Sequence, residues 1–214
     1  MKKAWIKYIK LYHERPAVFA QSDELKIVLD YDQVLAFERN TGQHIGVIYE
    51  SPYNTLVVDL VQNAEGKQFA YERILPTVEH GAIVAIPVFK DKFVLLNQYR
   101  HAIRDFQYAF PRGYGEDSVI AEDNAKKELL EEIGANVLQI KKLGVITVDS
   151  GLCSNKADAF ACVVDRIELH SHHEGIKDIV LLSKDEFEQW ISLGKINDSF
   201  SLSAYSLYLQ KQQE

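Results

Sequence analysis

Residues 110–135, FPRGYGEDSVIAEDNAKKELLEEIGA, contain the most informative pattern in the chain. A turn rich in glycine and proline leads into a predicted helix that carries Glu128, Glu131 and Glu132. Positions i, i+3 and i+4 lie on one face of a helix, so these three carboxylates are neighbours and repel one another. A divalent cation such as Mg²⁺ turns this repulsion into a ligand set, because hard cations bind carboxylate oxygens. A solvated acidic helix face is the alternative interpretation.

Composition and charge limit the class of protein. The 214 residues are 47% hydrophobic and 26% charged, which is typical of a globular protein with a core. The net charge of −7 argues against nucleic acid as a partner, because phosphate backbones need a basic surface, but it allows an anionic small molecule. No apolar run reaches the roughly 18 residues of a membrane span. The two cysteines, Cys153 and Cys162, form no CxxC pair, which is typical of a protein in the reducing cytosol. From these two observations we predict a cytoplasmic protein without a membrane partner.

The first part of the chain, residues 1–76, predicts a small antiparallel β-sheet. Runs rich in β-branched and aromatic residues alternate there with turn residues, which is typical of strands and hairpins. The predicted strands are residues 25–29, 34–37, 44–49, 55–60 and 69–75. No catalytic motif occurs in this part, so we expect it to have a structural or subunit-pairing role.

The second part, residues 77–214, predicts a mixed sheet with flanking helices. The predicted strands are residues 81–89, 92–100, 137–148, 157–164 and 178–182. Ser183 and Glu186 form a capping-box pattern, and Asn197 or Asp198 is placed to cap the last helix. Strands and helices alternate irregularly around one central helix, which favours an α+β fold over a doubly wound parallel sheet.

Two arginines and the glycine turn add phosphate-binding chemistry to the glutamate helix. Arg100 and Arg104 follow a predicted strand, and arginine side chains can hold phosphate oxygens in bidentate fashion. Gly113 allows the backbone to approach a ligand closely. This combination suits metal-assisted attack of water on a phosphate anhydride. A surface salt bridge is the alternative role for Arg100.

Residues 113–135 resemble the Nudix box, which is written GX5EX7REUXEEXGU with U a bulky aliphatic residue. Gly113 matches the first glycine, and residues 128–134 match the core from its first glutamate to its last glycine. Three positions depart from the pattern, which are Val119 for the first glutamate, Lys127 for the arginine and Ala135 for the final aliphatic residue. Lysine keeps the charge but lacks the planar fork that braces the glutamates. Glu116 and Glu122 are candidates to replace the missing carboxylate.

The resemblance extends to the ADP-ribose pyrophosphatase branch of the Nudix family. The sequence QYR at residues 98–100, the sequence GKIND at residues 194–198 and the N-terminal sheet are similar to that branch. The resemblance implies the Nudix fold, a Mg²⁺ cofactor for which Mn²⁺ can substitute, a homodimer, and hydrolysis of ADP-ribose or a related nucleotide sugar. Two features depart from that branch, which are FPRG at residues 110–113 in place of the usual LPAG, and Ala109 in place of a common glutamate.

The resemblance also implies roles for individual residues. Glu128 and Glu132 are the expected metal ligands, and Glu131 is expected to bind the metal or to polarise a bridging water. The carbonyl of Arg112, which precedes the box glycine, is an expected backbone ligand. The catalytic base of the family often lies in a late loop, where Glu174 is the candidate.

Several alternatives remain open in the sequence. Gly151 either lets the chain pack against a nucleoside or forms a plain turn. A cluster of histidines either binds a transition metal or belongs to an exposed polar loop, its members being His170, His172 and His173. The departures from the Nudix box also allow a nucleotide-binding or sensing protein that hydrolyses weakly. An unrelated α+β domain with an acidic helix is the third interpretation.

Overall fold

The computed structural model describes residues 1–169 and 175–212 of the chain. The chain divides into two compact units, which are Met1–Thr77 with Asp149–Asn155, and Val78–Val148 with Lys156–Glu214. Across the described residues, no helix combines the length and the apolar composition that a membrane crossing requires.

The first unit contains an antiparallel sheet and two helices. Its elements in chain order are α1 (Lys3–Glu14), β1 (Leu25–Ile27), α2 (Tyr31–Thr41), β2 (Gly46–Glu50), β3 (Asn54–Asn63) and β4 (Gln68–Pro76). The long strand β3 pairs with β1, β2 and β4, in each case antiparallel. The predicted N-terminal antiparallel sheet is therefore confirmed.

Residues 149–155 belong to the first unit through backbone hydrogen bonds with β4. Ile74 N donates to the Leu152 carbonyl (2.8 Å), and Ser154 N donates to the Ile74 carbonyl (3.1 Å). Cys153, between these two residues, forms a parallel bridge with Ile74. The predicted division at residues 76 and 77 does not include this return, because such a short segment carries no compositional signal of its distant partner.

The prediction of a strand at residues 34–37 is wrong, because these residues lie in α2. The Asp30 side chain caps the helix by accepting hydrogen bonds from Asp32 N (2.9 Å) and Gln33 N (3.0 Å). Gly42 ends the helix in the left-handed conformation, with φ 73°. The apolar run has β propensity, but a cap on each side favours the helix and outweighs it.

A buried polar network holds α1 on the sheet of the first unit. Tyr8 donates its hydroxyl hydrogen to Asp59, and Arg73 donates to both oxygens of the same carboxylate. Arg73 also donates to the Val18 carbonyl (2.7 Å), and its guanidinium lies 4.8 Å from the centre of the Phe19 ring. Burial and the Asp59 carboxylate raise the pKa of Tyr8 far above its usual value, so the hydroxyl remains a donor. Asp59 is 1% exposed, so these partners must replace the water it has lost.

In the described residues of the second unit, 78–148, 156–169 and 175–212, the structure contains a mixed sheet of seven strands and three helices. Its elements in chain order are β5 (Ile83–Phe89), β6 (Lys92–Arg100), β7 (Asp105–Ala109), β8 (Arg112–Gly113), α3 (Ala121–Ile133), β9 (Val137–Thr147), β10 (Lys156–Val164), β11 (Ile176–Leu182), α4 (Lys184–Ser192) and α5 (Ser199–Lys211).

The sheet has the strand order β11-β6-β5-β10-β9, with β5 and β10 parallel and the other pairs antiparallel. Alternate residues of β5 belong to two hydrophobic clusters. Ile83 and Ala85 pack in the cluster that contains Leu129 of α3. Val84 and Ile86 pack in the cluster that contains residues of α4 and α5. The helices therefore cover both faces, and the predicted α+β fold with a mixed sheet is confirmed.

The strands β5 and β6 pair beside their connecting turn, at Val88 and Phe93, and then diverge. Beyond that point β6 pairs with β7, and β5 pairs with β8. Residues 105–113 therefore enter the sheet between the diverging strands. This arrangement places Arg112 and Gly113 beside the first residues of β5.

The predicted caps of the two C-terminal helices are confirmed. Ser183 and Glu186 form a capping box at the start of α4, where each side chain bonds to the backbone of the other residue. Asp198 caps α5 by accepting a hydrogen bond from Ser201 N (2.9 Å).

Replacing Asp59 with Asn removes the charge that faces Arg73 in the first unit. We expect the unfolding free energy of this unit to fall by about 3–5 kcal/mol, because the guanidinium is left without a compensating charge. Urea denaturation followed by Trp5 fluorescence in a Trp190→Phe background measures the loss. Glu50→Gln is the control, because the pair of Glu50 with Lys7 is largely exposed and such pairs contribute less than about 1 kcal/mol. Equal losses in the two variants would contradict this account.

Candidate metal and phosphate site

The turn before α3 is held by contacts to both the sheet and the C-terminal helices. Phe110 N donates to Ser201 Oγ of α5 (2.9 Å). The buried Phe110 ring stacks on Phe187 of α4, with 5.2 Å between the ring centres. The carbonyl of Pro111 accepts a hydrogen bond from Ala85 N of β5 (2.9 Å). These bonds fix the position of the two residues that follow.

The Arg112 side chain is tied to the start of α5. Its Nη1 donates to Asp198 Oδ1 (3.2 Å), and its guanidinium lies 4.6 Å from the centre of the Phe200 ring. Asp198 is 4% exposed and also caps α5, so one carboxylate serves two purposes. The sequence identified Asp198 as a candidate cap but not as the partner of Arg112, because the two lie 86 positions apart.

The Glu128 carboxylate lies directly against the backbone of Gly113. A Cβ atom at position 113 would overlap Oε1, Cδ and Cγ of Glu128. Only glycine leaves room for the carboxylate here, which explains why the motif needs glycine so far ahead of its first core glutamate. A half-buried carboxylate therefore lies beside β8, the strand whose Arg112 carbonyl is the predicted backbone ligand.

The other two glutamates of α3 differ in burial. Glu132 is 4% exposed, whereas Glu131 is exposed to solvent. Within residues 1–169 and 175–212, no group of three or more His, Cys, Asp or Glu side chains is arranged to hold a metal ion. The predicted ligands on α3 are therefore not preassembled around one point, and their metal roles stay predictions.

The chemistry of these residues nevertheless fits a hard divalent cation. The predicted donors are carboxylate oxygens on α3 and one backbone carbonyl, which are the ligands that Mg²⁺ and Mn²⁺ prefer. The Glu128 carboxylate occupies the space above Gly113, and the side chain of any other residue at position 113 would fill that space. Mg²⁺ usually takes one or two carboxylates and completes its shell with water and substrate phosphates. A complete protein cage is not required.

Lys127, at the position of the arginine in the Nudix box, binds two acidic side chains. Its ammonium bonds to Glu116 and lies 3.9 Å from Glu131 Oε1. The bond with Glu116 raises the pKa of Lys127 above its usual value. Of the two candidates for the missing carboxylate, Glu116 therefore contacts the same Lys127 ammonium as Glu131. Glu122 instead pairs with Lys126 (2.8 Å).

The two predicted phosphate-binding arginines lie at the end of β6 and in the turn that follows. Arg100 is the last residue of β6 and is half-buried. Arg104 is exposed, with its Nη1 2.9 Å from His101 Nδ1 and its guanidinium 5.8 Å from the centre of the Tyr99 ring. Because β6 runs antiparallel to β5, its last residue lies at the sheet end where β5 begins beside Gly113. Their binding roles stay predictions.

Gly151 lies in the first unit and forms a turn. Its N–H donates to Asp149 Oδ1 (3.1 Å), and its carbonyl accepts a hydrogen bond from the Tyr71 hydroxyl (2.9 Å). This geometry agrees with the plain-turn alternative, and its substrate-binding role remains a prediction. The predicted base Glu174 and the histidine cluster lie outside the described residues, the histidines being His170, His172 and His173.

A cavity of about 320 Å³ lies elsewhere in the second unit. It is lined by residues of β9, β10 and α5 together with Val88, near the end of β5. Gly113 pairs with Ile83, at the opposite end of the same strand. The cavity therefore lies at the other end of β5 from Gly113.

Comparisons with known proteins support the fold and no finer assignment. No family model matches the sequence, and no curated protein matches it significantly. One matching solved structure is the crystal structure of an ADP compounds hydrolase, with a TM-score of 0.69 and 18% sequence identity. The match covers 78% of this chain and 90% of that chain. At this identity the likeness shows the fold alone, and it confirms the predicted Nudix fold.

Replacing Gly113 with Ala places a methyl group where the Glu128 carboxylate lies. We expect the variant to fold, because the φ of Gly113 is outside the left-handed region. We expect its Mn²⁺ dissociation constant, measured by electron paramagnetic resonance, to rise at least about tenfold, as when the support of a metal ligand is removed. Gly144→Ala is the control, because its methyl meets only the flexible end of Leu207, at 3.1 Å. Unchanged binding in Gly113→Ala would contradict the role of Glu128.

Proposed function

We propose that the protein is a Nudix hydrolase that uses Mg²⁺ to cleave the pyrophosphate bond of a nucleoside diphosphate derivative, ADP-ribose or a related nucleotide sugar. The observation that carries the proposal is the Glu128 carboxylate seated against Gly113. This contact links the first glycine and the first core glutamate of the Nudix box in space. The shared fold with an ADP compounds hydrolase supports the choice of substrate class.

In this proposal Glu128 and Glu132 hold the cation, with Glu131 and the Arg112 carbonyl as further ligands. When bound, Mg²⁺ or Mn²⁺ supplies positive charge that binds phosphate oxygens and offsets the charge developing during cleavage. The burial of Glu132 favours metal binding, because a buried carboxylate has few water molecules to lose. The proximity of Lys127 limits the repulsion around Glu131.

The substrate is an anion, and the proposal assigns its phosphates to Arg100 and Arg104. Both arginines lie at the end of the sheet where β5 begins, in a chain whose net charge is −7. A local cationic site attracts a diphosphate despite the negative total, because screening limits the reach of distant charges to about 10 Å at moderate salt. Gly113 is the proposed backbone contact for the substrate in the turn before α3, and Gly151 is the proposed contact for the nucleoside.

The attacking water needs a base, and the proposal has two candidates. Glu131 is exposed on α3 and can accept a proton from a water molecule beside the phosphate. Glu174 is the candidate from the late loop. Replacing each with Gln and comparing the pH dependence of kcat distinguishes them, because loss of the base removes the acidic limb of the profile.

Assembly and location are also part of the proposal. We infer a homodimer that pairs through the N-terminal sheet, which gives this sheet a role outside the chemistry. Light scattering tests it, and a monomer at micromolar concentration would contradict it. A cytoplasmic location is consistent with free thiols at both Cys153 and Cys162.

A nucleotide-binding or sensing protein with weak hydrolysis is the second candidate function. Two departures from the Nudix box favour it, namely Val119 in place of a glutamate and Lys127 in place of the bracing arginine. The ammonium of Lys127 bonds to Glu116. Calorimetry that measures tight ADP-ribose binding without turnover would favour this function over hydrolysis.

Hydrolysis of ADP-ribose and related nucleotide sugars in the presence of Mg²⁺ is the direct test. We expect the wild type to release a nucleoside monophosphate, and chelation of the metal to abolish the reaction. Glu132→Gln and Glu128→Gln should each lower kcat by about 100-fold or more, because metal-based charge stabilisation contributes several kcal/mol and each 1.36 kcal/mol is tenfold.

Asp123→Asn is the matched control for these two substitutions. Asp123 lies in the first turn of the same helix, is exposed and lies 3.3 Å from Lys126. The change from carboxylate to amide is therefore the same, but Asp123 is not one of the three proposed ligands and lies in the first turn of the helix, about two turns before Glu131. We expect wild-type kcat in this variant. Full activity of Glu132→Gln and Glu128→Gln would refute the assigned metal site.

A further inference from the structure

Asn124 is a buried polar residue of α3 to which the sequence assigns no role. Its side chain has 0% exposure. Its Nδ2 donates to the Gly81 carbonyl (2.8 Å) and to the Tyr114 carbonyl (2.7 Å). Because both neighbouring groups are carbonyl oxygens, the nitrogen of the amide must face them, and its orientation is settled by chemistry.

These two bonds do not make Asn124 a simple stabilising residue. Its Oδ1 is buried and accepts no hydrogen bond within the described part of the chain. A buried acceptor without a partner costs free energy of the same order as two hydrogen bonds supply. The net contribution to stability is therefore small, and the geometric effect of the bonds is what distinguishes Asn124 from an apolar residue.

The two segments that Asn124 joins pass each other at backbone contact. A Cβ atom at Gly115 would overlap the His80 carbonyl, and a Cβ atom at Gly81 would lie 3.3 Å from the Gly115 Cα. No side chain at either glycine separates the segments. Asn124 bonds to both segments at once, so it sets the position of α3 relative to them.

Asn124 and Glu128 lie one helical turn apart on the same face of α3. Asn124 bonds to the carbonyl of Tyr114, and Glu128 lies against Gly113, the preceding residue of the same turn. The distance between α3 and this turn therefore determines where the Glu128 carboxylate lies. We propose that Asn124 is a positioning residue, which holds the glycine turn at the distance that Glu128 needs to bind the metal. This inference rests on the proposed function, because it takes Glu128 as a metal ligand.

Asn124→Ala removes both donors and tests the inference through metal affinity as well as turnover. We expect the Mn²⁺ dissociation constant, measured by electron paramagnetic resonance, to rise about tenfold, as for loss of a group that supports a ligand. We expect kcat for ADP-ribose to fall while its KM stays within about twofold, because the arginines that bind phosphate are not displaced. If the alanine variant folds poorly, Asn124→Leu replaces it in the test, because leucine fills the same space without donors. We expect the same changes in Mn²⁺ affinity and kcat.

Asn136→Ala is the matched control. Asn136 follows the other end of α3, is exposed, and donates from Nδ2 to Asp165 Oδ2 (2.9 Å). The same substitution there removes a side-chain donor without touching the glycine turn, so Mn²⁺ affinity and kcat should match the wild type. Melting temperatures of both variants show how much of any change comes from stability.

The outcomes separate this inference from the proposed function. Equal Mn²⁺ affinity in Asn124→Ala and Asn136→Ala, with a wild type that binds Mn²⁺ and hydrolyses ADP-ribose, would overturn the role of Asn124 alone. A wild type that binds Mn²⁺ but hydrolyses no nucleotide sugar would overturn the proposed hydrolysis, and the two affinities would still decide the role of Asn124. A wild type that binds no Mn²⁺ would overturn both.

Discussion

The close approach of the Glu128 carboxylate to the Gly113 backbone is the contact on which the candidate site depends. Glycine is required at position 113 because a Cβ atom would overlap that carboxylate. The same principle recurs nearby, where Gly115 passes the His80 carbonyl without room for a side chain. Oxygen atoms and backbone are thereby concentrated in a small volume. In the proposed function, a divalent cation compensates for that concentration of negative charge.

The divergence of β5 and β6 makes this contact possible. Because β7 and β8 pair with the diverging strands, a loop segment becomes part of the sheet and gains backbone partners. Contacts from α4 and α5 then fix the turn, including the pair of Arg112 with Asp198. Elements distant in sequence therefore determine the local geometry of the glycine turn and α3, although residues 113–135 are contiguous in the chain. The three carboxylates are positioned by α3, but they do not converge on one point.

The first unit depends on a different constraint, which is the burial of charge. Asp59, Arg73 and Tyr8 satisfy one another inside an otherwise apolar cluster. Residues 34–37 show the limit of reading local composition in this unit. Their apolar run resembles a strand, yet the cap at Asp30 and the left-handed Gly42 make it a helix. Cap signals are brief, and they compete with β propensity only once the helix can bury one face.

Local sequence patterns are sufficient to predict the α+β class, most strands of both units, the caps of α4 and α5, and the glutamate face of α3. Those features follow from periodicity and capping, which act over a few residues. Three contacts become visible in the folded chain, namely Glu128 against Gly113, Asn124 between Gly81 and Tyr114, and residues 149–155 against β4. These contacts join segments with no local signal of each other, because close packing of backbones depends on the whole sheet and not on neighbouring side chains.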